Sequence, residues 1–274
     1  MALQLDGPLL LIGAGKMGGA LIEGWLARGL DPANVWVQDP APLPDVKAML
    51  EQHGIAIRPA VEQMPAAPAV LMLAVKPQVM EQVVPPLAKL TGPGTLIVSI
   101  AAGRTVASLA RHFRSGQPII RAMPNTPAAI GRGITGVFAN PAVSAAQRHT
   151  AEALLAAAGE VAWLDDEQLI NAVTAVSGSG PAYVFLLAEC LAEAGRAAGL
   201  EASLAMRLAR ATVAGAGELL HRSELPASVL RQNVTSPGGT TAAALAVLME
   251  EGGLQPLLSR AVAAAHARAG ELSS

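Results

Sequence analysis

LLLIGAGKMG, Leu9 to Gly18, is the stretch whose reading decides the fold of this chain. Four aliphatic residues in a row are too few for a helix and suit a strand buried on both faces. A G-x-G-x-x-G turn follows, and an amphipathic helical pattern runs on over Met17–Arg28. In such a strand–turn–helix unit the glycines allow a tight turn, close approach of backbone to a pyrophosphate, and close helix–strand packing. The phosphates sit on the helix N-terminus, where unpaired N–H groups and the dipole favour negative charge. Gly13, Ala14, Gly15, Lys16, Met17 and Gly18 are therefore expected to hold a dinucleotide; the plain alternative is a merely tight βα turn.

The next strand is expected at Val35–Val37, with Asp39 at its end, about 20 residues beyond the last glycine. A carboxylate there accepts hydrogen bonds from the ribose hydroxyls of NAD and repels the extra phosphate of NADP. No arginine adjoins it in sequence to offset that repulsion. The cofactor expected is thus NADH or NADPH, with Asp39 leaning toward NADH; the alternative is a solvated Asp in the turn DPAPLPD.

Outward from this unit, short apolar runs alternate with helical stretches. Val70–Ala74, Leu96–Ser99 and Ile119–Ala122 read as strands, as do GVFA before Asn140 and Val161–Leu164. Val46–His53, Val79–Leu90, Val106–Phe113 and Ser144–Ala158 read as helices. That alternation predicts an α/β fold, a Rossmann-type doubly wound parallel sheet covered on both faces. From Asp165 on, only helical patterns remain: Gln168–Ala175, Ala182–Ala198, Ser203–His221, Ala227–Val234, Thr240–Glu251 and Leu254–Ala269. The expected organisation is a dinucleotide-binding domain over 1–164 and an all-α oligomerisation and substrate domain over 165–274. The helices of the second part, such as AYVFLLAECLAEAG, are apolar on more than one face, and so small a domain cannot bury them alone. Self-association through it is predicted.

The bulk composition agrees with a packed protein: 52% hydrophobic, 15% charged, net charge −2. Nothing there points to nucleic acid or to an anionic membrane as partner. Leu169–Ala188 is uncharged over a bilayer's length, but its middle, TAVSGSGP, reads as polar and helix-breaking, which argues against a span. The N-terminal residues do not read as a signal peptide, and a cytoplasmic location is expected. The lone cysteine, Cys190, forms no disulfide within the chain and reads as a small buried hydrophobe in a reducing compartment. The histidines are scattered, and neither paired histidines nor a carboxylate cluster suggests a metal site.

Several further motifs occur in one chain and in this order: AVKP (Ala74–Pro77), SIAAG (Ser99–Gly103), RAMPNTPA (Arg121–Ala128), AVTAVSGSGPAY (Ala172–Tyr183) and NVTSPGGTT (Asn233–Thr241). Together with GAGKMG they resemble pyrroline-5-carboxylate reductase, which reduces a cyclic imine to L-proline in the last step of proline biosynthesis. The resemblance implies that Ala74, Val75, Lys76 and Pro77 touch the cofactor, as do Ile100, Ala101, Ala102 and Asn233. Ser236, Gly238, Gly239, Thr240 and Thr241 are implied as a cradle for the substrate carboxylate, and Glu167 as a further substrate contact. The bland alternative for SPGGTT is an N-cap turn with Ser236 or Thr240 as cap. Thr174 is implied near the imine nitrogen, as a catalytic residue that hydrogen-bonds or delivers a proton. Arg121 and Asn125 are open between function and shaping the loop. The resemblance also implies a homo-oligomer, from a dimer up to a decamer. NADPH-using relatives carry a hydroxyl at the position of Asp39 and often an asparagine at that of Val61, so both residues here speak against NADPH.

The rival families fit less well. A β-hydroxyacid dehydrogenase relies on a lysine in its helical part, whereas Lys16, Lys47, Lys76 and Lys89 all lie in the first part here. A dinucleotide sensor without turnover leaves Asn233–Thr241 unexplained.

Overall fold

The structure, a computed structural model, describes residues 3–273. Contacts divide the chain into two compact units, Met1–Gly178 with His266–Ser274, and Ser179–Ala265. This division by contacts falls at Gly178, and residues from His266 group with the first unit.

The first unit is built on one sheet of eight strands in the order β3-β2-β1-β4-β5-β6-β7-β8. These are β1 Leu9–Ile12, β2 Val35–Gln38, β3 Ile57–Arg58, β4 Val70–Leu73, β5 Leu96–Ser99, β6 Ile119–Met123, β7 Gly133–Ala139 and β8 Gly159–Trp163. The pairings are parallel except for β6 with β7, which is antiparallel. Every residue of β1, β4 and β5 is buried. Side chains alternate along a strand, and here the period of two sorts one sequence onto two cores. Leu9, Leu11, Val70, Met72, Leu96 and Val98 face one side; Leu10, Ile12, Leu71, Leu73 and Ile97 face the other.

Helices α1 Lys16–Ala27, α2 Pro44–Gln52 and α5 Ala145–Leu155 cover the first side with Leu21, Ile22, Trp25, Leu50 and Leu154. The second side is covered by α3 Met80–Leu87 and α4 Val106–Ala110, through Met80, Val84, Leu87 and Leu109. The apolar body of Trp25 is wholly buried while its Nε1 donates to the Leu154 carbonyl at 2.8 Å, so burial leaves no polar atom unpaired. β1 has neighbours β2 and β4 on its two sides, which creates the switch point outside whose strand ends open α/β sheets bind ligands.

Beyond β8 the chain is helical, as expected. α6 Leu169–Val173 runs into a π-helical turn, Thr174–Gly178, and then α7 Gly180–Ala197. The stretch expected to break the helix instead widens it by a turn, so Leu169–Ala197 has the length and apolar composition of a bilayer span. The second unit holds α7, α8 Ala202–Arg222, α9 Ala227–Asn233, α10 Thr240–Leu248 and the greater part of α11 Leu254–Ser273. Among its described residues only Ala192, Ala205 and Ala209 are buried, at a seam where Gly195 also lies against Ala205. Small residues there let α7 and α8 approach closely, but they leave the large apolar side chains outside. Val184, Phe185, Leu186 and Leu187 are exposed, Phe185 by 62%. Cys190 is exposed as well, contrary to the buried position expected of it, because it lies away from the alanine seam.

Candidate active site

The carboxyl ends of β1, β4 and β5 gather the residues expected at the cofactor. Gly13 has φ +97°, and a Cβ there would stand 2.7 Å from the Ala74 carbonyl oxygen, so only glycine lets β1 turn beside β4. A Cβ on Gly18 would come within 2.1 Å of the Gly13 oxygen, the cost of setting α1 so close to its strand. Gly15 is different: a Cβ there would meet no protein atom within 4 Å. Packing of the chain does not demand glycine at that position, and the backbone stays open to a ligand. Gly15 is also the N-cap of α1, without a side-chain cap, so the first N–H groups of a twelve-residue helix point to that open surface. Both features fit a dinucleotide pyrophosphate.

Asp39 closes the site at the end of β2. Its Oδ2 accepts from the Ala14 N–H at 2.6 Å, and its Oδ1 from the Ala41 N–H at 2.8 Å. The carboxylate thus braces the glycine loop, and its remaining lone pairs can still accept from hydroxyl groups. β3 places the Arg58 backbone beside Asp39, and the Asp39 N–H donates to the Arg58 carbonyl at 3.0 Å. The guanidinium itself stacks 4.3 Å over the Trp36 ring. Val61 is buried, and its N–H donates to the Gln38 side chain at 2.8 Å.

Ala74, Val75, Lys76 and Pro77 leave the end of β4; Lys76 is exposed, and Pro77 opens a single 3-10 turn. Ile100, Ala101 and Ala102 leave the end of the adjacent β5. There the buried Ser99 hydroxyl accepts from the Ala101 N–H at 3.3 Å. The two segments are neighbours because β4 and β5 pair in register, Leu73 opposite Ser99.

The π-helical turn contributes hydroxyl groups. Thr174 Oγ1 donates to the Ile170 carbonyl at 2.7 Å, so its proton is engaged and its oxygen can accept. Asn125, in the loop after β6, receives the Ile134 N–H on Oδ1 at 3.0 Å and donates from Nδ2 to Ser177 Oγ at 3.1 Å. Asn125 therefore ties that loop to the π turn, a role that no local pattern in RAMPNTPA reveals. Glu167, implied as a substrate contact, has structural partners. Its Oε1 accepts from the Val106 N–H at 2.7 Å and from Arg121 Nη1 at 3.1 Å. Arg121 is 3% exposed and also reaches the Ser273 hydroxyl. An arginine so deeply buried requires a counter-charge, and Glu167 supplies it. The structural task is the one the contacts support for Glu167.

In the second unit Asn233 ends α9, exposed. The turn that follows closes with the Gly239 N–H on the Ser236 carbonyl at 3.0 Å, and Gly238 takes φ +69°. Gly239, not Ser236 or Thr240, is the N-cap of α10, and no side chain caps it. Thr240 and Thr241 form the first turn, so their N–H groups and hydroxyls stand together at an uncapped helix start. A Cβ on Gly239 would collide with the Ser236 side chain, which explains the second glycine. Among the described residues, no three His, Cys, Asp or Glu side chains cluster as a metal site requires.

Comparison with known proteins bears on both units. A family model for pyrroline-5-carboxylate reductase dimerisation matches residues 167–272, and one for NADP oxidoreductase, coenzyme F420-dependent, matches residues 9–103. Pyrroline-5-carboxylate reductase of Pseudomonas aeruginosa is 42% identical over 265 residues, 97% of this chain and 96% of that protein. Among solved structures, the pyrroline-5-carboxylate reductase of Coxiella burnetii superposes with a TM-score of 0.91 at 36% identity, covering 98% of this chain and 100% of its own. The Plasmodium falciparum pyrroline carboxylate reductase with NADP bound gives 0.81 at 27% identity, covering 98% and 99%. The match to a dimerisation region falls on the helices that bury almost nothing within one chain.

Proposed function

The chain belongs to the pyrroline-5-carboxylate reductase family, and from that premise we propose that it reduces 1-pyrroline-5-carboxylate to L-proline as a soluble, cytoplasmic, self-associating enzyme. NADH or NADPH supplies the hydride for the imine carbon. The residues of this chain supply binding, orientation and exclusion of water rather than a strong acid–base pair.

The glycine loop Gly13–Gly18 and the uncapped start of α1 would hold the pyrophosphate, and Asp39 would accept from ribose hydroxyls. Ala74–Pro77 and Ile100–Ala102 would line the nicotinamide end. Asp39 and the buried Val61 favour NADH, since neither offers a donor to a ribose phosphate. The uncapped start of α10, with Ser236, Gly238, Gly239, Thr240 and Thr241, would take the substrate carboxylate through main-chain N–H groups and hydroxyls, and Asn233 beside it would reach the cofactor. A protonated imine carries an N–H donor. Thr174, whose own proton goes to Ile170, offers that donor an acceptor oxygen. Hydrogen bonding to the iminium, rather than proton delivery, is the role its geometry supports.

What carries this reading is that kinship runs the length of the chain, so one polypeptide has both the dinucleotide loop and the SPGGTT turn. The test is the decay of NADH absorbance on addition of pyrroline-5-carboxylate. Replacing Thr240→Val and Thr241→Val together should raise KM for the imine about tenfold or more, the loss of one or two hydrogen bonds to a charged group. Cofactor binding should be spared. A wild-type protein that binds dinucleotide but does not turn over the imine refutes the function; an unchanged KM in the double variant refutes the cradle.

A further inference from the structure

The segments that leave β4 and β5 are joined by a side chain outside every motif of the resemblance. Arg104 follows Gly103 at the end of SIAAG. Its Nη2 donates to the Pro77 carbonyl at 2.7 Å, and its Nη1 to Oε1 of Glu81 at 2.9 Å. Glu81 lies in the first turn of α3, and its Oε2 stands 3.4 Å from Nε2 of His112. The Arg104 side chain is 24% exposed, and the bond to Pro77 is partly shielded from water. One planar guanidinium thus bonds a carbonyl of the AVKP segment and a carboxylate of the helix that follows it.

We propose that Arg104 is a positioning residue for the dinucleotide, holding the Ala74–Pro77 segment at a set separation from the Ile100–Ala102 turn. The inference rests on the reading that these two segments contact the cofactor. Their bases are fixed by strand pairing, since the Ala74 N–H donates to the Ile12 carbonyl at 2.8 Å and the Ile100 N–H to the Leu73 carbonyl at 3.0 Å. Further along, Pro77 has no N–H to give to a turn, and the Val79 N–H closes a short one on the Lys76 carbonyl at 3.2 Å. Arg104 holds this part of the segment from the side. A segment held in its binding geometry loses less conformational freedom when the ligand arrives, and the benefit goes to the ligand that touches it. The effect should therefore fall on the dinucleotide and not on the imine.

Arg104→Met keeps the aliphatic stem and deletes both hydrogen bonds. Titration of NADH and NADPH fluorescence should show Kd raised about five- to tenfold, with a parallel rise in KM for the dinucleotide. KM for pyrroline-5-carboxylate should stay within about twofold, and Tm within roughly 4 °C, as for the loss of a partly exposed hydrogen-bonded pair. Arg104→Lys retains one donor able to reach Pro77 and should recover most of the affinity. Glu81→Gln leaves the Pro77 bond intact and should raise Kd less than about threefold.

Unchanged dinucleotide affinity in Arg104→Met, or no recovery in Arg104→Lys, overturns the inference. A joint rise of both KM values with a large fall in Tm also overturns it, because that is the mark of a loosened fold. Wild-type protein that binds neither NADH nor NADPH removes the cofactor reading beneath it. Wild-type binding with an unaffected Arg104→Met removes the Arg104 assignment alone.

Discussion

Replacing Glu167 by alanine separates the structural task the contacts support from the substrate contact implied by resemblance. The substitution leaves Arg121, 3% exposed, without its counter-charge at 3.1 Å, and removes the acceptor of the Val106 N–H. Breaking a fully buried ion pair from one side costs roughly 3–5 kcal/mol. Two features lower that figure: Glu167 is 23% exposed, and Arg121 keeps the Ser273 hydroxyl at 3.4 Å. About 3 kcal/mol is expected, and for a protein of this size each kcal/mol shifts Tm by roughly 2–4 °C. A fall of about 6–12 °C should follow, read by thermal melting at a fixed protein concentration because self-association makes Tm depend on it. Glu167→Gln, which keeps an acceptor oxygen, should lose about half as much. In both variants KM for pyrroline-5-carboxylate should remain within about twofold at a temperature below the transition, where the native population is unchanged. An unaltered Tm with a KM raised more than about tenfold would return Glu167 to the substrate site and refute the ion-pair reasoning.

The glycine loop makes a paired prediction. Gly18→Ala should abolish folding of the first unit, because its Cβ would meet the Gly13 oxygen at 2.1 Å; Gly15→Ala, which meets nothing, should fold and lose dinucleotide affinity. Circular dichroism and NADH fluorescence read the two effects, and a Gly15→Ala protein of unchanged affinity refutes the pyrophosphate assignment. Asp39→Ser should move the ratio of kcat/KM for NADH over NADPH toward NADPH by about tenfold or more, if the carboxylate faces the ribose as proposed. Equal ratios before and after would show Asp39 uninvolved. Glu201, exposed and the N-cap of α8, has its carboxyl held below the ordinary value of 4.5, first by the Ser203 hydroxyl and then by the N–H groups of Ser203 and Leu204. A depressed carboxyl stabilises the fold above its unfolded value and loses that effect as pH falls through the folded one. The Tm gap between wild type and Glu201→Gln should thus be widest near neutral pH and close as the solution is acidified below about 4.5; a gap independent of pH refutes it.

Local chemistry made much of this protein legible before any coordinates. The strands β1 and β4 are aliphatic runs ended by glycine and by Ala-Val-Lys-Pro, and β5 is an aliphatic run closed by Ser99; a strand buried on both faces reads as such a run. The glycine loop Gly13–Gly18 is legible for the same reason: a tight turn, an open backbone and close helix packing each restrict one nearby residue. So is the helical character of the second part, and its need for a partner, because leucines on several faces of a short helix have nowhere else to go.

The tertiary structure alone decided matters that depend on residues far apart in sequence. β3, only Ile57–Arg58, exists because β2 offers it an edge, and it is what puts the Arg58 backbone beside Asp39. β7 pairs antiparallel with β6 although its own residues carry no mark of direction. TAVSGSG reads as a break, yet flanking helix carries it through as a π turn, since local propensity is weak beside tertiary support. Nothing near Glu167 in sequence points to its pairing with Arg121, 46 residues earlier. Gly103 shows the same dependence at the end of the chain, where a Cβ would strike the Leu272 carbonyl at 2.6 Å. Propensity and periodicity act over a few residues and can be read from them; the choice of partner is made by folding, when distant groups compete for one another's hydrogen bonds and charge.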